Sequence, residues 1–323
     1  MPPFVPVTAV IELAFDPIAT VGDWTVRLET VALAVVVLAC LVVAALVARR
    51  TPIDVTREPD AAGPEEGERN HLRADDLLFI AVAALPGAVA AGRLGYVLLH
   101  LDYYRANPQA VLDTSQGSLQ LSLAIVGGLV TASIVAGLLG TSVGRWMHAL
   151  VLPLLLGIAA GKAALVLGGS GQGLPFDGDW ALAFGGPGPW GSLAAEIPSH
   201  PSQVYEAIAT AAVLVVLLGL LAAGAFRRRT GAAFLFGLAL WAAARALVAT
   251  TWRDEAVAGS LNADQLISIA IIAGSLVLLA AVTVADRRRA ATGGRPAGPA
   301  GTSGGRGRGH EMEWPDPTTR PRI

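Results

Sequence analysis

A chain of 323 residues with 54% hydrophobic and only 15% charged residues falls well below the ~25% charge of soluble domains, and its mean hydropathy of +0.58 excludes an ordinary soluble enzyme. Lys and Arg number 23 against 25 Asp and Glu, a net charge of −2, which argues against nucleic acid as a partner. The single cysteine, Cys40, excludes an intramolecular disulfide and reads as a small buried hydrophobe, because nothing beside it would lower a thiol pKa.

The first apolar stretch, around residues 5–13, has no basic flank and has Glu12 toward its end and Asp16 behind it, so it is not read as a cleavable signal peptide; the first span takes the targeting role. A bilayer core of ~30 Å needs about 20 apolar residues per helix. Such runs occur at residues 31–48, 77–101, 121–140, 147–167, 204–226, 232–251 and 266–285. The expected fold class is therefore all-α, a polytopic membrane protein with seven transmembrane helices.

Arg49 and Arg50 follow the first run, Arg145 lies between the third and fourth, Arg227, Arg228 and Arg229 follow the fifth, and Arg287, Arg288 and Arg289 follow the seventh. All fall on one side, which the positive-inside rule makes cytoplasmic, giving an N-out/C-in topology. Residues 1–289 then form a seven-span membrane domain, with a polar cytoplasmic loop at 51–76 and an outer loop at 168–203. Residues 290–323, with "TGGRPAGPAGTSGGRGRG", read as a disordered cytoplasmic tail, solvated more readily than bound to anionic lipid. The outer loop carries Phe176, Trp180, Phe184 and Trp190; an interfacial aromatic belt and a substrate-gating arm both fit it. No internal repeat of the kind that marks transporter halves is present.

Three cations sit inside the runs: Arg93 in "AAGRLGYVLL", Lys162 in "GIAAGKAALVL" and Arg245 in "WAAARALVATTW". At 1.5 Å per residue each lies roughly 8–12 Å below the outer boundary. A buried cation costs at least ~2.5–3.5 kcal/mol at mid-membrane. Each side chain alone can snorkel to the headgroups, but three at one depth on alternate helices favour a shared anion. A phospholipid phosphate suits them, arginine binding it bidentately and lysine as a point charge. Glu206 is the one acid expected at that level. It follows "SHPSQ", where Pro201 suits a first helical position and Ser202, Tyr205, Glu206 and Ala209 recur at helical spacing. His200 is a candidate proton acceptor, its unperturbed pKa being ~6.5; a capping and interfacial cluster is the competing reading for His200 and Tyr205.

At these residues the chain resembles the bacterial prolipoprotein diacylglyceryl transferases, seven-span proteins of the inner membrane. The resemblance rests on "GRLGYVLLH" at residues 92–100, "NP" at 107–108, "GGL" at 127–129, "HPSQVYE" at 200–206, Arg245 and "DQLISI" at 264–269. It implies transfer of diacylglyceryl from phosphatidylglycerol to the thiol of a lipobox cysteine in a prolipoprotein signal peptide, with loss of glycerol phosphate. Catalytic roles then go to His200, Glu206 and Arg245, phosphate binding to Arg93, Lys162 and Arg245, and support to Tyr96, Ser202, Gln203, Tyr205 and Gln265. No cofactor or metal is expected. The chemistry is compatible with these residues: the thiolate is the nucleophile, His200 or Glu206 could take its proton, and a departing phosphate needs positive charge already in place.

Several positions depart from the family. Val126 stands where the family has a histidine before its two glycines, and "GKAALVLGGS" replaces its next signature, with Lys162 for an arginine, Leu165 and Gly168 for asparagines and Ser170 for a glutamate. Glu29 stands near the place of a tyrosine, and Ala249 replaces an acid. These departures keep open a relative that binds phospholipid or lipoprotein precursor without turnover. A transporter or channel is the third class; it would need a polar path to the cytoplasmic side.

Overall fold

The computed structural model describes residues 10–51, 72–113, 119–226 and 231–293. Within them seven helices are long and apolar enough to cross a membrane: α1 (Leu28–Arg50), α2 (Ala74–Leu99), α3 (Leu121–Leu138), α4 (Val143–Ala164), α5 (Ser202–Ala222), α6 (Ala232–Val248) and α7 (Ala263–Gly293). The seven-span expectation is met, so the protein is an all-α polytopic membrane protein. Most of the 51–76 loop, Arg227, Arg228 and Arg229, and most of the 290–323 tail lie outside the described residues. The chain divides into two compact units, Met1–Val284 and Ala285–Ile323, and the packing of the helix bundle lies within the first.

One helix is central. The apolar window of α6 is 61% buried, against 11–28% for the other six, because its sequence is built from small residues that let neighbours close in. Gly237 shows the fit: a Cβ there would stand 3.0 Å from Val151 of α4 and 3.1 Å from Leu217 of α5. Trp241, Ala242, Val151, Leu155, Val213, Leu217 and Ile271 make the core around it. Outer faces keep large apolar side chains exposed, such as Val35, Leu85 and Val130, as a bilayer-facing surface requires.

The seam between α2 and α3 explains one of the short motifs. A Cβ at Gly127 would collide with both the Ala91 Cβ and the Gly87 carbonyl oxygen, and one at Gly87 would collide with Thr131 Oγ1. Residues 127–128 are thus glycines because two backbones touch. At one end of the bundle Ala48 of α1, Leu77 of α2, Ala136 of α3 and Trp146 of α4 form a second cluster. That end also holds Arg49, Arg50 and Arg145, the last within α4 rather than before it.

The opposite end carries short strands that the sequence reading did not anticipate. β1 (Val10–Leu13) runs parallel to β4 (Ala181–Phe184), β2 (Ile18–Val21) and β3 (Trp24–Arg27) form a hairpin that leads into α1, and β5 (Ala256–Ala258) and β6 (Leu261–Asn262) form another before α7. Leu13, Val166, Leu182, Phe184, Trp190 and Ala195 give this arm its own small core. Trp190 is therefore a packing residue of the arm. Trp180 is exposed, and its indole N–H donates to the Tyr205 hydroxyl at 2.6 Å.

The α2–α3 contact makes a direct expectation. Gly127→Leu should lower the thermal midpoint of the detergent-solubilised protein, overpacking costing about 1–3 kcal/mol, whereas Gly137→Ala, where a Cβ meets nothing within 4 Å, should leave it nearly unchanged. Equal midpoints for the two variants would refute the tight seam.

Candidate active site

The arm end of the bundle gathers ionisable groups from four helices. Arg245 lies in the last turn of α6, Lys162 in the last turn of α4, Glu206 in α5, four residues past its start, and Asp264 at the second position of α7. Glu206 is 1% exposed and joins the two cations: Oε2 meets Lys162 Nζ at 2.8 Å, and Oε1 accepts a hydrogen bond from Arg245 Nη1. Arg245 Nη2 donates to both oxygens of Asp264, at 3.0 and 3.1 Å. The set is formally neutral, which lowers the cost of holding it out of water.

Each member is fixed by the local structure. Asn262 and Gln265 form a reciprocal cap at the start of α7: the Gln265 amide donates to Asn262 Oδ1 at 2.9 Å and the Asn262 amide to Gln265 Oε1 at 3.0 Å. Asn262 Nδ2 also reaches the Ala249 carbonyl at 2.7 Å. This cap presents Asp264 to Arg245, and Gln265 is part of the cap. Gln120 caps α3 through Leu123 N at 2.6 Å and donates Nε2 to Asp264 Oδ1 at 2.5 Å. Lys162 Nζ lies 4.9 Å from the centre of the Trp252 ring, and Arg245 lies 5.9 Å from that of Trp241; both are cation–π contacts.

The other expected residues fall into two separate groups. Arg93 was expected to share the anion site with Lys162 and Arg245, but its guanidinium is committed to backbone carbonyls: Nε donates to Val111 O at 2.8 Å, and Nη2 to Ala110 O at 2.6 Å and Asp113 O at 2.8 Å. It also faces the rings of Tyr96 and Tyr104, and Tyr96 stacks on His100 at 4.2 Å. These carbonyls lie in and just after the short helix Pro108–Val111, 17–20 residues past Arg93. The second group holds the arm. His200 stacks on Phe176 at 4.0 Å and its Nδ1 is 3.3 Å from the Tyr205 hydroxyl. Ser202 Oγ is 2.7 Å from Thr251 Oγ1, tying α5 to the end of α6. Gln203 is fully buried one turn from Glu206, and neither atom of its carboxamide has a hydrogen-bond partner among the described residues.

The sequence reading gave no role to Asp264, Gln120, Trp252 or Asp254. An acid in the first turn of an apolar run was the available signal for Asp264. Asp254 lies in the loop after α6, where burial first and Asp264 second push its carboxyl above the usual range, with Arg245 and His100 opposing. Its neighbour Arg253 pins that loop to the arm, through Gly173 O at 2.6 Å and Ser199 Oγ at 3.0 Å. Among the described residues no group of three His, Cys, Asp or Glu side chains is placed to hold a metal ion.

The fold and site define a class: a seven-span helical membrane protein with a buried cation pair at one end, balanced by two carboxylates. Comparison with known proteins makes the class specific. Residues 18–281 match the family model of the prolipoprotein diacylglyceryl transferases, and the chain belongs to that family. It is 32% identical over 236 residues to the phosphatidylglycerol–prolipoprotein diacylglyceryl transferase of Paramagnetospirillum magneticum, covering 70% of this chain and 80% of that protein. The proteins of the same name from Clostridioides difficile and Bordetella avium are 24% identical over 66% of this chain and 81% of theirs, and 30% identical over 66% and 78%.

Glu206→Ala leaves two buried cations side by side, and breaking a buried pair costs about 3–5 kcal/mol. The thermal midpoint should fall sharply, while Arg105→Ala, whose pair with Asp102 is exposed on both sides, should not move it. A tolerated Glu206→Ala would show that the carboxylate does not hold the centre together.

Proposed function

We propose that this chain is itself a diacylglyceryl transferase, acting on phosphatidylglycerol and on the lipobox cysteine of a prolipoprotein signal peptide, in the bacterial inner membrane with the arm end outward. The carrying observation is the convergence of Lys162 and Arg245 on one buried carboxylate, Glu206. Family membership supports the reaction. The placement of Arg49, Arg50 and Arg145 at the far end supports the orientation.

In this reading the phosphodiester takes the donors of Lys162 and Arg245 that Glu206 otherwise occupies, and Asp264 keeps the Arg245 fork aimed. The freed Glu206 carboxylate accepts the proton of the cysteine thiol. The thiolate attacks the glyceryl carbon bonded to the phosphate oxygen; a carbon–sulfur bond forms, the carbon–oxygen bond breaks, and its electron pair leaves on glycerol phosphate. Glu206 then returns the proton to the phosphate monoester, whose second pKa is ~6. The fixed cations meet the developing charge without rearrangement, which is where electrostatic catalysis is largest. Arg93 serves as scaffold for the turn after α2, and His200 positions the arm.

A second reading, lipid binding without transfer, is favoured by Val126, an aliphatic residue packed against the core where the resemblance places a histidine.

The test is transfer of labelled diacylglyceryl from phosphatidylglycerol to a lipobox peptide by the purified protein, with complementation of a transferase-depleted strain beside it. Expected are transfer that rises with pH toward the thiol pKa of ~8.5, loss of at least ~100-fold in Arg245→Ala, and a smaller loss in Arg93→Ala. Phospholipid binding without transfer at any pH would establish the second reading instead.

A further inference from the structure

Buried polar groups without partners are rare, and each costs about 1–3 kcal/mol. Gln203 leaves both carboxamide atoms in that state at 0% exposure, and the buried indole N–H of Trp252 is likewise without a partner among the described residues. The two are neighbours across one glycine of the arm: a Cβ on Gly171, whose φ is +83°, would lie 3.2 Å from the Gln203 Cβ and 3.5 Å from the Trp252 ring. Both also border the ion-pair centre. Gln203 precedes Glu206 by three residues on the inward face of α5, and the Trp252 ring lies under Lys162 Nζ at 4.9 Å. Two residues bordering the cations thus carry one amide donor, one amide acceptor and one indole donor, with no charge among them.

We propose that Gln203, together with Trp252, reads the glycerol end of the donor lipid's headgroup. This inference rests on the proposed function above, which puts the phosphate on Lys162 and Arg245. A hydroxyl on the second or third carbon beyond that phosphate ester both donates and accepts, so a carboxamide satisfies it in both directions and an indole N–H adds a donor. An uncharged polyol matches an uncharged pair of partners. A headgroup with no hydroxyl leaves Gln203 and Trp252 buried and unsatisfied, and sites built to bond a hydroxyl reject analogues that lack it for that reason. Because the arm packs over Gln203 at Gly171, the headgroup reaches the pair when this segment withdraws.

The experiment is competition binding on the purified full chain, displacing labelled phosphatidylglycerol with unlabelled phosphatidylglycerol or with phosphatidylethanol, which has the same phosphodiester and an ethyl group in place of glycerol. The wild type should prefer phosphatidylglycerol by roughly tenfold or more, the size of one or two hydrogen bonds. Gln203→Met, of similar volume, should bring the ratio to within about twofold of one, chiefly by weakening phosphatidylglycerol. Trp252→Phe, which keeps a ring under Lys162 but loses the N–H, should lower the ratio partway. An unchanged ratio in Gln203→Met, or no preference in the wild type, overturns the inference and leaves the proposed function standing. Selective binding by a protein that transfers nothing supports the inference and removes catalysis from the proposed function.

Discussion

The ion-pair centre at the arm end depends on a single buried carboxylate, Glu206, shared by two cations, with Asp264 supplying the second negative charge. An unpaired charge at membrane depth costs several kcal/mol. Lys162 at 2.8 Å and Arg245 on the other oxygen reduce that cost by sharing the same anion. The sharing fixes α4, α5 and α6 relative to one another, and Asp264 brings in α7 by the second edge of the Arg245 fork. The four charges act as the polar counterpart of the Trp241 and Leu217 core beneath them.

The same arrangement gives the site its chemistry. Glu206 holds both cations, and in the proposed function it occupies the position that the phosphate takes. In the proposed function, exchange of one anion for the other turns a structural ion pair into a phosphate clamp and a free base together. Neutrality of the set, with Asp264 offsetting the second cation, lets that exchange happen without leaving an uncompensated positive charge. Where the resemblance expects an arginine, Lys162 keeps the charge but gives up the planar fork; in the proposed function this leaves the orienting of the phosphate to Arg245, the cation gripped by two acids.

The seven spans were legible because burial in a bilayer demands long apolar runs, and the core and lipid-facing surfaces share that composition. Lys162, Glu206 and Arg245 were legible as well, since charge inside such a run is costly and stands out. Arg93 showed the same signal at the same depth. Which oxygens answer it depends on whether a following turn folds back, and spacing along the helix carries no record of carbonyls 17–20 residues downstream. Asp264 sits at the edge of its apolar run, where an acid looks like an ordinary helix-start residue. The β1–β4 pairing joins Val10 to Ala181, and strands of four residues that pair so far apart leave no local periodicity to read. At Glu29 and Ser170, where the resemblance expects a tyrosine and a glutamate, the carboxylate and hydroxyl have changed sides, and Ser170 Oγ donates to Glu29 Oε2 at 3.0 Å. Two departures from the resemblance thus meet in one bond between α1 and the arm.

The central claim, that Lys162 and Arg245 exchange Glu206 for a phosphate, is tested most directly by an experimental structure of the protein with a non-cleavable phosphatidylglycerol analogue. The account predicts the phosphate within hydrogen-bonding distance of Lys162 Nζ and the Arg245 guanidinium, with at least one Glu206 contact released and the Asp264 fork kept. A phosphate bound elsewhere, with both Glu206 pairs intact, would contradict it.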